Sequence, residues 1–234
     1  MTLAIRVIPT VLFRGTQLVK GEKFKSWRSI GNAMQAAQIY AKRDCDEIIL
    51  LDIGATPEGR RPNLEIIEAW TEANFAPITV GGGIRSVKDV ESVLRAGADK
   101  VAIGKAAFTN DYLVANCVQK FGSQAIVVAV NVEKNSAVED AVTSVALDGC
   151  GEVLLTSIER EGTLQGYDIE LIQSVSSAVN IPVIAHGGCS GPGDMKLAIE
   201  AGASAVAAGA LFAFTDWTPK SCAEYLQSHG IETR

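Results

Sequence analysis

The stretch "PITVGGGIRSVKDVESVLRAGADKVAIGKA", residues 77–106, decides the fold because the chain repeats it. From Pro182 the sequence runs "PVIAHGGCSGPGDMKLAIEAGASAVAAGA", which aligns with the first stretch without a gap. Each copy has a Gly-Gly pair, an Asp, an Ala-Gly-Ala triplet and a Val-Ala pair at equal spacings. An internal repeat of this length predicts two similar half-structures rather than a short-period solenoid.

Along the whole chain, short apolar runs rich in Val and Ile alternate with segments of helical period. The eight runs are residues 5–11, 47–52, 78–81, 100–103, 126–131, 152–157, 182–186 and 205–208. Continuous hydrophobicity is typical of parallel strands covered on both faces. Between two runs, the segment 86–96 begins with Ser86 and Asp89, spaced as in a helix cap, and is followed by Gly97. Eight such units predict an α/β fold, a (β/α)8 TIM barrel of two duplicated half-barrels, with residues 1–234 as one domain.

Size, charge and cysteine content limit the classes of protein. The chain has 234 residues, of which 47% are hydrophobic, and a net charge of -6. An acidic chain does not attract nucleic acid or an anionic membrane, so we expect neither as a partner. We find no secretory signal and no run near the ~18 apolar residues of a membrane helix. The five cysteines are odd in number and not closely paired, which favours a cytoplasmic location without a metal site, and we expect no cofactor.

Glycines follow the third and fourth predicted strands and recur after the seventh and eighth. They are Gly82, Gly83, Gly104, Gly187, Gly188 and Gly209. Glycines between a barrel strand and a helix can present backbone N–H groups to an anion, although glycine also simply permits a tight turn. Two matched sites at one barrel mouth favour a phosphorylated small molecule with a phosphate at each end as the ligand.

Several motifs resemble one family over nearly the whole chain. They are "DEIILLDIGA" (46–55), "ITVGGGIRSVKDV" (78–90), "AGADKVAI" (96–103), "KFGSQAIVVAV" (120–130) and "GEVLLTSIEREGTLQGYDIELI" (151–172). These segments are similar to the HisF family, the cyclase subunits of imidazole glycerol phosphate synthase. The resemblance implies a barrel that receives ammonia from a HisH-like glutaminase bound at its bottom face. At the top face, the ammonia would close the imidazole ring of a doubly phosphorylated precursor.

The resemblance fails at the family's general acid and base. The family has aspartates at the ends of the first and fifth strands, where this chain has Leu12 and Asn131. Neither side chain can transfer a proton, and each such group typically contributes about 10² to 10⁴ in rate. We therefore expect little cyclase activity, unless proton transfer has moved to another residue such as Asp52, Glu133 or His186.

Other departures lie around the same face. Gly104 and Lys105 replace a polar phosphate binder after the fourth strand, Ala210 replaces a serine after the eighth, and His186 replaces a serine before the second Gly-Gly pair. The family's insertion after the fifth strand is reduced to "EKNSAVEDA", residues 133–141. Asp52, Thr156 and Lys20 remain, so a residual role is expected for Asp52 and Thr156.

The resemblance holds at the opposite ends of the strands. Arg6, Glu47, Lys100 and Glu152 each stand at the start of a predicted strand. In the family these positions match a charged ring through which ammonia enters the barrel. Two opposite-charge pairs could also simply plug a barrel bottom, but a buried ring of charges is costly compared with aliphatic packing, which favours an ammonia gate.

Three functions remain open from the sequence. The kept ring and the lost acids resemble the HisF-like paralogues of bacterial surface-polysaccharide clusters. This resemblance implies a subunit that passes ammonia on for amidation of an N-acetyl sugar in O-antigen or lipopolysaccharide synthesis, with a sugar amidotransferase as a further partner. The first alternative is the cyclase subunit of imidazole glycerol phosphate synthase in histidine biosynthesis. The second is a scaffold that binds and stimulates the glutaminase without conducting ammonia.

Overall fold

The structure is a computed structural model, and it describes residues 4–133 and 138–234. Its strands are β1 (Arg6–Arg14), β2 (Gln17–Glu22), β3 (Lys25–Asn32), β4 (Ile48–Asp52), β5 (Ile78–Gly81), β6 (Lys100–Ile103), β7 (Ile126–Val132), β8 (Glu152–Ser157), β9 (Val183–His186) and β10 (Ala205–Ala208). Its α-helices are α1 (Ala33–Tyr40), α2 (Leu64–Ala73), α3 (Val87–Arg95), α4 (Leu113–Phe121), α5 (Glu139–Leu147), α6 (Ile169–Ala178), α7 (Pro192–Glu200), α8 (Ala210–Phe214) and α9 (Pro219–Ser228). Short 3-10 helices cover Lys105–Phe108 and Ser123–Ala125.

Eight parallel strands close into a barrel. The order around it is β10-β9-β8-β7-β6-β5-β4-β1, and β1 pairs in turn with β10. That closing pair sets Arg6 beside Ala205 and Pro9 beside Ala208. The two repeated stretches form β5-α3-β6 and β9-α7-β10 in the two halves of the ring. The predicted (β/α)8 TIM barrel is confirmed; that residues 1–234 form one domain stays a prediction.

The sequence did not reveal the antiparallel hairpin β2–β3, which follows β1 at the carboxyl end of the barrel. The prediction also ended the first strand at residue 11, whereas β1 continues to Arg14. It continues because Thr10 to Phe13 pair with Ile49 to Asp52 of β4, and Phe13 then pairs with Leu18 of β2. Leu12 therefore lies within a strand and pairs with Leu51 of β4.

Strand alternation divides the apolar residues into two cores. The inner core fills the barrel with small and branched side chains, namely Ile8, Ile49, Ala102, Val127, Leu154, Ile184, Ala205 and Ala207. The outer core lies between barrel and helices and includes Val7, Val11 and Phe13 of β1. Successive residues of one strand therefore alternate between the barrel interior and the helix layer. In β1, Ile8 faces the interior, whereas its neighbour Val7 faces the helices.

The helices are fixed by caps and by single polar contacts to their neighbours. As predicted, the Ser86 hydroxyl caps α3 by accepting a hydrogen bond of 3.2 Å from the Asp89 backbone N–H. The fully buried Trp70 of α2 donates its Nε1–H to the Ala33 carbonyl at the start of α1, at 2.9 Å. Four of the five cysteines are buried, as is usual for free cysteines, which pack like small apolar residues. Within the described ranges, no helix has both the length and the hydropathy to cross a membrane.

The turn after β5 packs closely against β4, and a comparison of two glycines tests how much this close packing contributes to stability. Gly82 has φ 101°, and a Cβ added there would lie 2.1 Å from the carbonyl oxygen of Asp52. At Gly59, φ is 65° and, among the described residues, no atom lies within 4 Å of an added Cβ. We expect Gly59→Ala to lower the free energy of unfolding by about 1 to 2 kcal/mol, the cost of the left-handed backbone.

Gly82→Ala carries the same backbone cost and also forces the turn away from β4, so we expect a loss of roughly 3 kcal/mol or more. Urea denaturation of the two variants measures the difference. Equal losses would show that crowding against Asp52 contributes nothing.

Candidate functional site

A pocket of about 500 Å³ lies at the carboxyl ends of the barrel strands, where active sites of such barrels form. Aliphatic side chains of five barrel strands contribute to its lining; they are Leu12, Leu51, Ala102, Ala129 and Leu154. Polar groups in its lining include Asn131, Thr156, Glu161 and His186. The pocket therefore combines an apolar surface with a few polar groups, the usual character of a small-ligand site.

Leu12 and Asn131 both line this pocket, as expected for the positions where the family resemblance places the acid and base. Leu12 is buried, and its strand neighbour in β4 is Leu51, which also lines the pocket. Asn131 is paired with Thr156 of β8. These two positions offer an aliphatic side chain and an amide, so neither can serve as a general acid or base.

Asp52 is held by contacts that use both carboxylate oxygens. Arg60 donates to them at 2.7 and 2.9 Å, and the backbone N–H groups of Gly54, Ala55 and Asn63 donate at 3.1 to 3.2 Å. The side chain of Asp52 is fully buried. This carboxylate orders the loop after β4, and both of its oxygens already accept hydrogen bonds from that loop.

His186 and Thr156 lie side by side on neighbouring strands. The Thr156 hydroxyl and His186 Nδ1 are 3.0 Å apart, and the proton between them depends on the histidine tautomer. Burial, and next the positive charge of Lys20, lower the pKa of His186 to about 3. The imidazole is thus neutral at physiological pH, and with Nδ1 bonded to Thr156 its Nε2 is the ring nitrogen that remains for a ligand.

Lys20 and Glu161 are two further ionisable groups buried at the same end of the barrel. Lys20 Nζ donates to the Thr10 carbonyl at 3.0 Å, and it lies against Gly209, since a Cβ added to that glycine would be 2.5 Å from it. Burial lowers the pKa of Lys20 to about 8, opposed by the charge of Glu161. Burial raises the pKa of Glu161, opposed first by Lys20. One oxygen of Glu161, Oε2, is buried without a hydrogen-bond partner among the described residues.

The Gly-Gly loops lie on different sides of this end of the barrel. Gly82 and Gly83 line the large pocket, whereas Gly187 and Gly188 line a smaller adjoining cavity together with Gly209, Glu161 and His186. All four paired glycines have φ between 73° and 101°. Close backbone packing also requires them, since a Cβ added to Gly188 would lie 2.3 Å from the Gly166 carbonyl oxygen.

The sites after β6 and β10 differ, although the repeat makes them equivalent. Around Gly104, no described atom lies within 4 Å of an added Cβ, and the exposed Lys105 lines the pocket beside it. The equivalent space at Gly209 is taken by the ammonium group of Lys20. Arg85, which follows the first Gly-Gly pair, adds a second exposed cation to the pocket wall.

The hairpin β2–β3 covers one side of the pocket. Phe24 and Trp27, near its tip, line the pocket, with their ring centroids 6.4 Å apart. The Lys23 backbone N–H donates to the Glu161 carbonyl at 2.9 Å, which ties the tip to the loop after β8. The hairpin thereby delivers Lys20 to the barrel and shields the Glu161 carboxyl from water.

At the opposite end of the barrel, four charged residues form one closed network. Arg6 contacts Glu47 at 2.6 Å and Glu152 at 2.8 Å, and Lys100 Nζ lies 3.1 Å from both carboxylates. Thr79 of β5 adds a hydrogen bond of 2.7 Å to Glu47. We refer to Arg6, Glu47, Lys100 and Glu152 as the bottom ring. The predicted residues are thus brought together, with cations and carboxylates alternating.

Opposite charges in the bottom ring favour the charged forms of Glu47 and Arg6 despite their burial. Burial alone would raise the pKa of Glu47, but Lys100 and Arg6 favour the carboxylate and the net effect lowers it. Burial would likewise lower the pKa of Arg6, but Glu152 and Glu47 raise it. Removing one member therefore leaves an uncompensated charge in a partly buried position.

The segment after β7 and the loop after β8 each carry a glutamate near the top face. Glu133 is exposed just beyond β7, and residues 134–137 of the shortened segment "EKNSAVEDA" lie outside the described residues. Sequence reasoning missed Glu161, which lies in the motif "TSIEREG" but is marked there by no distinctive spacing. Glu161 is distinguished in the structure by its burial and by the nearby charge of Lys20, a residue far away in sequence.

Comparison with known proteins identifies the family. A family model described as "Histidine biosynthesis protein" matches residues 6–218. The chain is 40% identical over 247 residues to the imidazole glycerol phosphate synthase subunit HisF of Dehalococcoides mccartyi, covering 98% of this chain and 97% of the relative. It is 40% identical over 252 residues to the protein of that name from Pyrobaculum aerophilum, with both chains covered completely, and 37% identical to that of Methanopyrus kandleri.

These relatives correct the function expected from the sequence. The expected role in sugar amidation for O-antigen or lipopolysaccharide synthesis, with its sugar amidotransferase partner, is wrong, because relatives spanning nearly the whole chain are named for the histidine-pathway synthase. The error arose because a different function was inferred from Leu12 and Asn131. The loss of an acid and a base removes groups that transfer protons, but it does not identify another nitrogen acceptor. The chain belongs to the HisF family of imidazole glycerol phosphate synthase subunits.

Proposed function

We propose that this protein is the ring-closing subunit of an imidazole glycerol phosphate synthase and acts in histidine biosynthesis. The observation that carries the proposal is the pocket of about 500 Å³ at the carboxyl end of a HisF-family barrel, with a Gly-Gly loop on each of two sides. A long substrate with two phosphates fits this arrangement, since each loop can offer backbone N–H groups to one end.

The two ends of the substrate meet different surroundings. On the first-half side, Gly82, Gly83 and Gly104 adjoin the exposed cations Lys105 and Arg85. On the second-half side, Gly187, Gly188 and Gly209 line one cavity, and the buried Lys20 lies against Gly209. A phosphate is attracted to both sides, because each combines backbone donors with positive charge.

The nitrogen source is ammonia from a HisH-like glutaminase bound at the bottom face. The word "subunit" in the relatives' names fits a protein that works with a partner chain. In this proposal the bottom ring is the entrance for ammonia, and the aliphatic inner core separates it from the pocket. Transfer then requires the ring to part, since its four side chains contact one another in a closed network.

Turnover with ammonium salts tests the proposal without the partner. We expect the purified protein to convert the doubly phosphorylated substrate into imidazole glycerol phosphate when ammonium replaces glutamine. Product formation is followed by chromatography against a blank without protein. No product above the blank at any pH between 6 and 9 would refute the assignment.

A change in the bottom ring tests the path of ammonia. Lys100→Met removes one cation from the ring and lies at the other end of the strands from the pocket. We expect glutamine-dependent product formation, measured with the glutaminase partner, to fall at least ~10-fold, about 1.4 kcal/mol in the barrier. Turnover with external ammonium should stay within about 2-fold of wild type, because the pocket is untouched.

The matched control is Lys120→Met, which removes an exposed lysine of α4 paired with Glu91. It should change neither rate. Loss of one charge from a buried network can cost about 3 to 5 kcal/mol of stability, so folding and binding of the glutaminase are verified first. If Lys100→Met changed the glutamine-dependent and ammonium-dependent rates equally, or changed neither, the ring would only close the barrel bottom. That result would favour a scaffold that binds the glutaminase without conducting ammonia.

A phosphate titration tests the glycine loops. We expect inorganic phosphate to shift the NMR amide signals of Gly82, Gly83, Gly187 and Gly188, with millimolar affinity because only one end of the substrate is mimicked. Lys105→Met should weaken binding at the first loop several-fold and leave the second loop unchanged. Lys88→Met, an exposed lysine of α3 outside the pocket lining, is the control. Unmoved amides in both loops would contradict phosphate binding there.

A further inference from the structure

We propose that His186, held by Thr156, is a substrate-recognition residue that hydrogen-bonds the uncharged heterocyclic part of the substrate. The inference rests on the proposed function and deepens it, since it names the side chain that meets the part of the substrate between its two phosphates. His186 belongs to a line of polar side chains at the top of the barrel. We refer to Asn131, Thr156 and His186 as the neutral row.

The neutral row is built by the pairing of three neighbouring strands. Asn131 of β7 pairs with Thr156 of β8, and Thr156 pairs with His186 of β9. Each member stands two residues beyond a residue that belongs to the inner core or packs against it, namely Ala129, Leu154 and Ile184. Because side chains alternate along a strand, the whole row faces the barrel interior, and all three members line the large pocket.

The imidazole of His186 is fixed on one side and open on the other. Its Nδ1 lies 3.0 Å from the Thr156 hydroxyl, so this contact holds the ring. Its Nε2 makes no hydrogen bond to any residue that the structure describes, yet it is not enclosed by protein as Glu161 Oε2 is. Nε2 is thus open to the cavities that His186 lines, where a ligand with an N–H group or a nitrogen lone pair would satisfy it.

The neutral row carries no charge, whereas cations lie on both phosphate sides of the pocket. Burial, and next the charge of Lys20, lower the pKa of His186 to about 3, and amide and hydroxyl groups do not titrate in the physiological range. The charged groups that face His186 from other elements are Lys20 of β2 and Glu161 of the loop after β8. A phosphate gains more from cations and backbone N–H groups, so the row favours the uncharged part of the substrate.

The contact between Thr156 and His186 lets Nε2 act either as a donor or as an acceptor. When the Thr156 hydroxyl donates to Nδ1, the ring proton is on Nε2, which then donates to the ligand. When Nδ1 carries the proton and donates to Thr156, Nε2 accepts instead. The imidazole ring of the product has one N–H group and one unprotonated nitrogen. Either tautomer of His186 therefore has a matching atom, and the bound ligand selects one of them.

Nitrogen NMR of protein labelled with ¹⁵N-histidine tests the inference, because the chain has only two histidines, His186 and His229. The probe is imidazole glycerol phosphate, and the ring nitrogen signals are recorded with and without it. We expect the signals of His186 to move to those of a single neutral tautomer. The signals of His229 should stay unchanged, since His229 is exposed after α9 and does not line either cavity.

Steady-state kinetics with ammonium as nitrogen source separates recognition from a structural role. We expect His186→Leu to raise KM about 10-fold, the effect of one lost hydrogen bond, and to leave kcat within about 3-fold. His186→Gln should regain most of the affinity, because its amide is a neutral donor and acceptor. Thr156→Val should move the Nδ1 signal of His186 in the free protein. His229→Gln is the control and should change neither KM nor kcat.

Folding of each variant is verified by thermal unfolding, and the wild-type NMR result is decisive even if His186→Leu does not fold. Imidazole glycerol phosphate that binds without moving the His186 signals would overturn this inference alone. The same holds for a folded His186→Leu whose KM stays within about 2-fold of an active wild type. A wild type that neither binds imidazole glycerol phosphate nor forms it would overturn the proposed function and this inference with it.

Discussion

Closure of the parallel sheet is the constraint on which the rest of the molecule depends. When β1 pairs with β10, with Arg6 beside Ala205, every barrel strand has two neighbours, and alternate side chains of all eight must share one narrow interior. The interior can be filled only in layers: charges at the bottom, small aliphatic residues in the middle and polar groups at the top. Where a residue stands along its strand thus decides whether it meets the ring, the core or the pocket.

A different interaction dominates in each of the three layers. The bottom ring is stabilised by mutual attraction, which offsets the cost of burying four charges and leaves a closed network that must part for anything to pass. The middle layer, with Ile8, Ile49 and Leu154, excludes water from the barrel axis. At the top, the effect of burial on the pKa values of Lys20 and Glu161 is larger than the opposing effect of nearby charges. There it lowers the pKa of Lys20 and raises that of Glu161, so both groups are brought nearer to the range in which they can exchange protons.

The barrel and the bottom ring could be predicted from the sequence because both depend on local order. Continuous apolar runs mark buried strands, and Glu47 or Lys100 directly at the start of such a run must lie at the strand's beginning. The hairpin β2–β3 could not, since β3 is largely exposed and has no apolar pattern. The burial of Lys20 and Glu161 at the same end of the barrel could not be predicted either, because it brings together a hairpin and a distant loop. Function was misjudged where Leu12 and Asn131 were taken to indicate a new nitrogen acceptor.

The central claim is that the ring-closing chemistry takes place in the pocket at the carboxyl ends of the barrel strands, above an apolar floor. A crystal structure of the protein with imidazole glycerol phosphate bound tests it most directly. We expect the phosphate on a Gly-Gly loop and the imidazole inside this pocket. An imidazole bound outside this pocket, or a phosphate that contacts neither Gly-Gly loop, would contradict it.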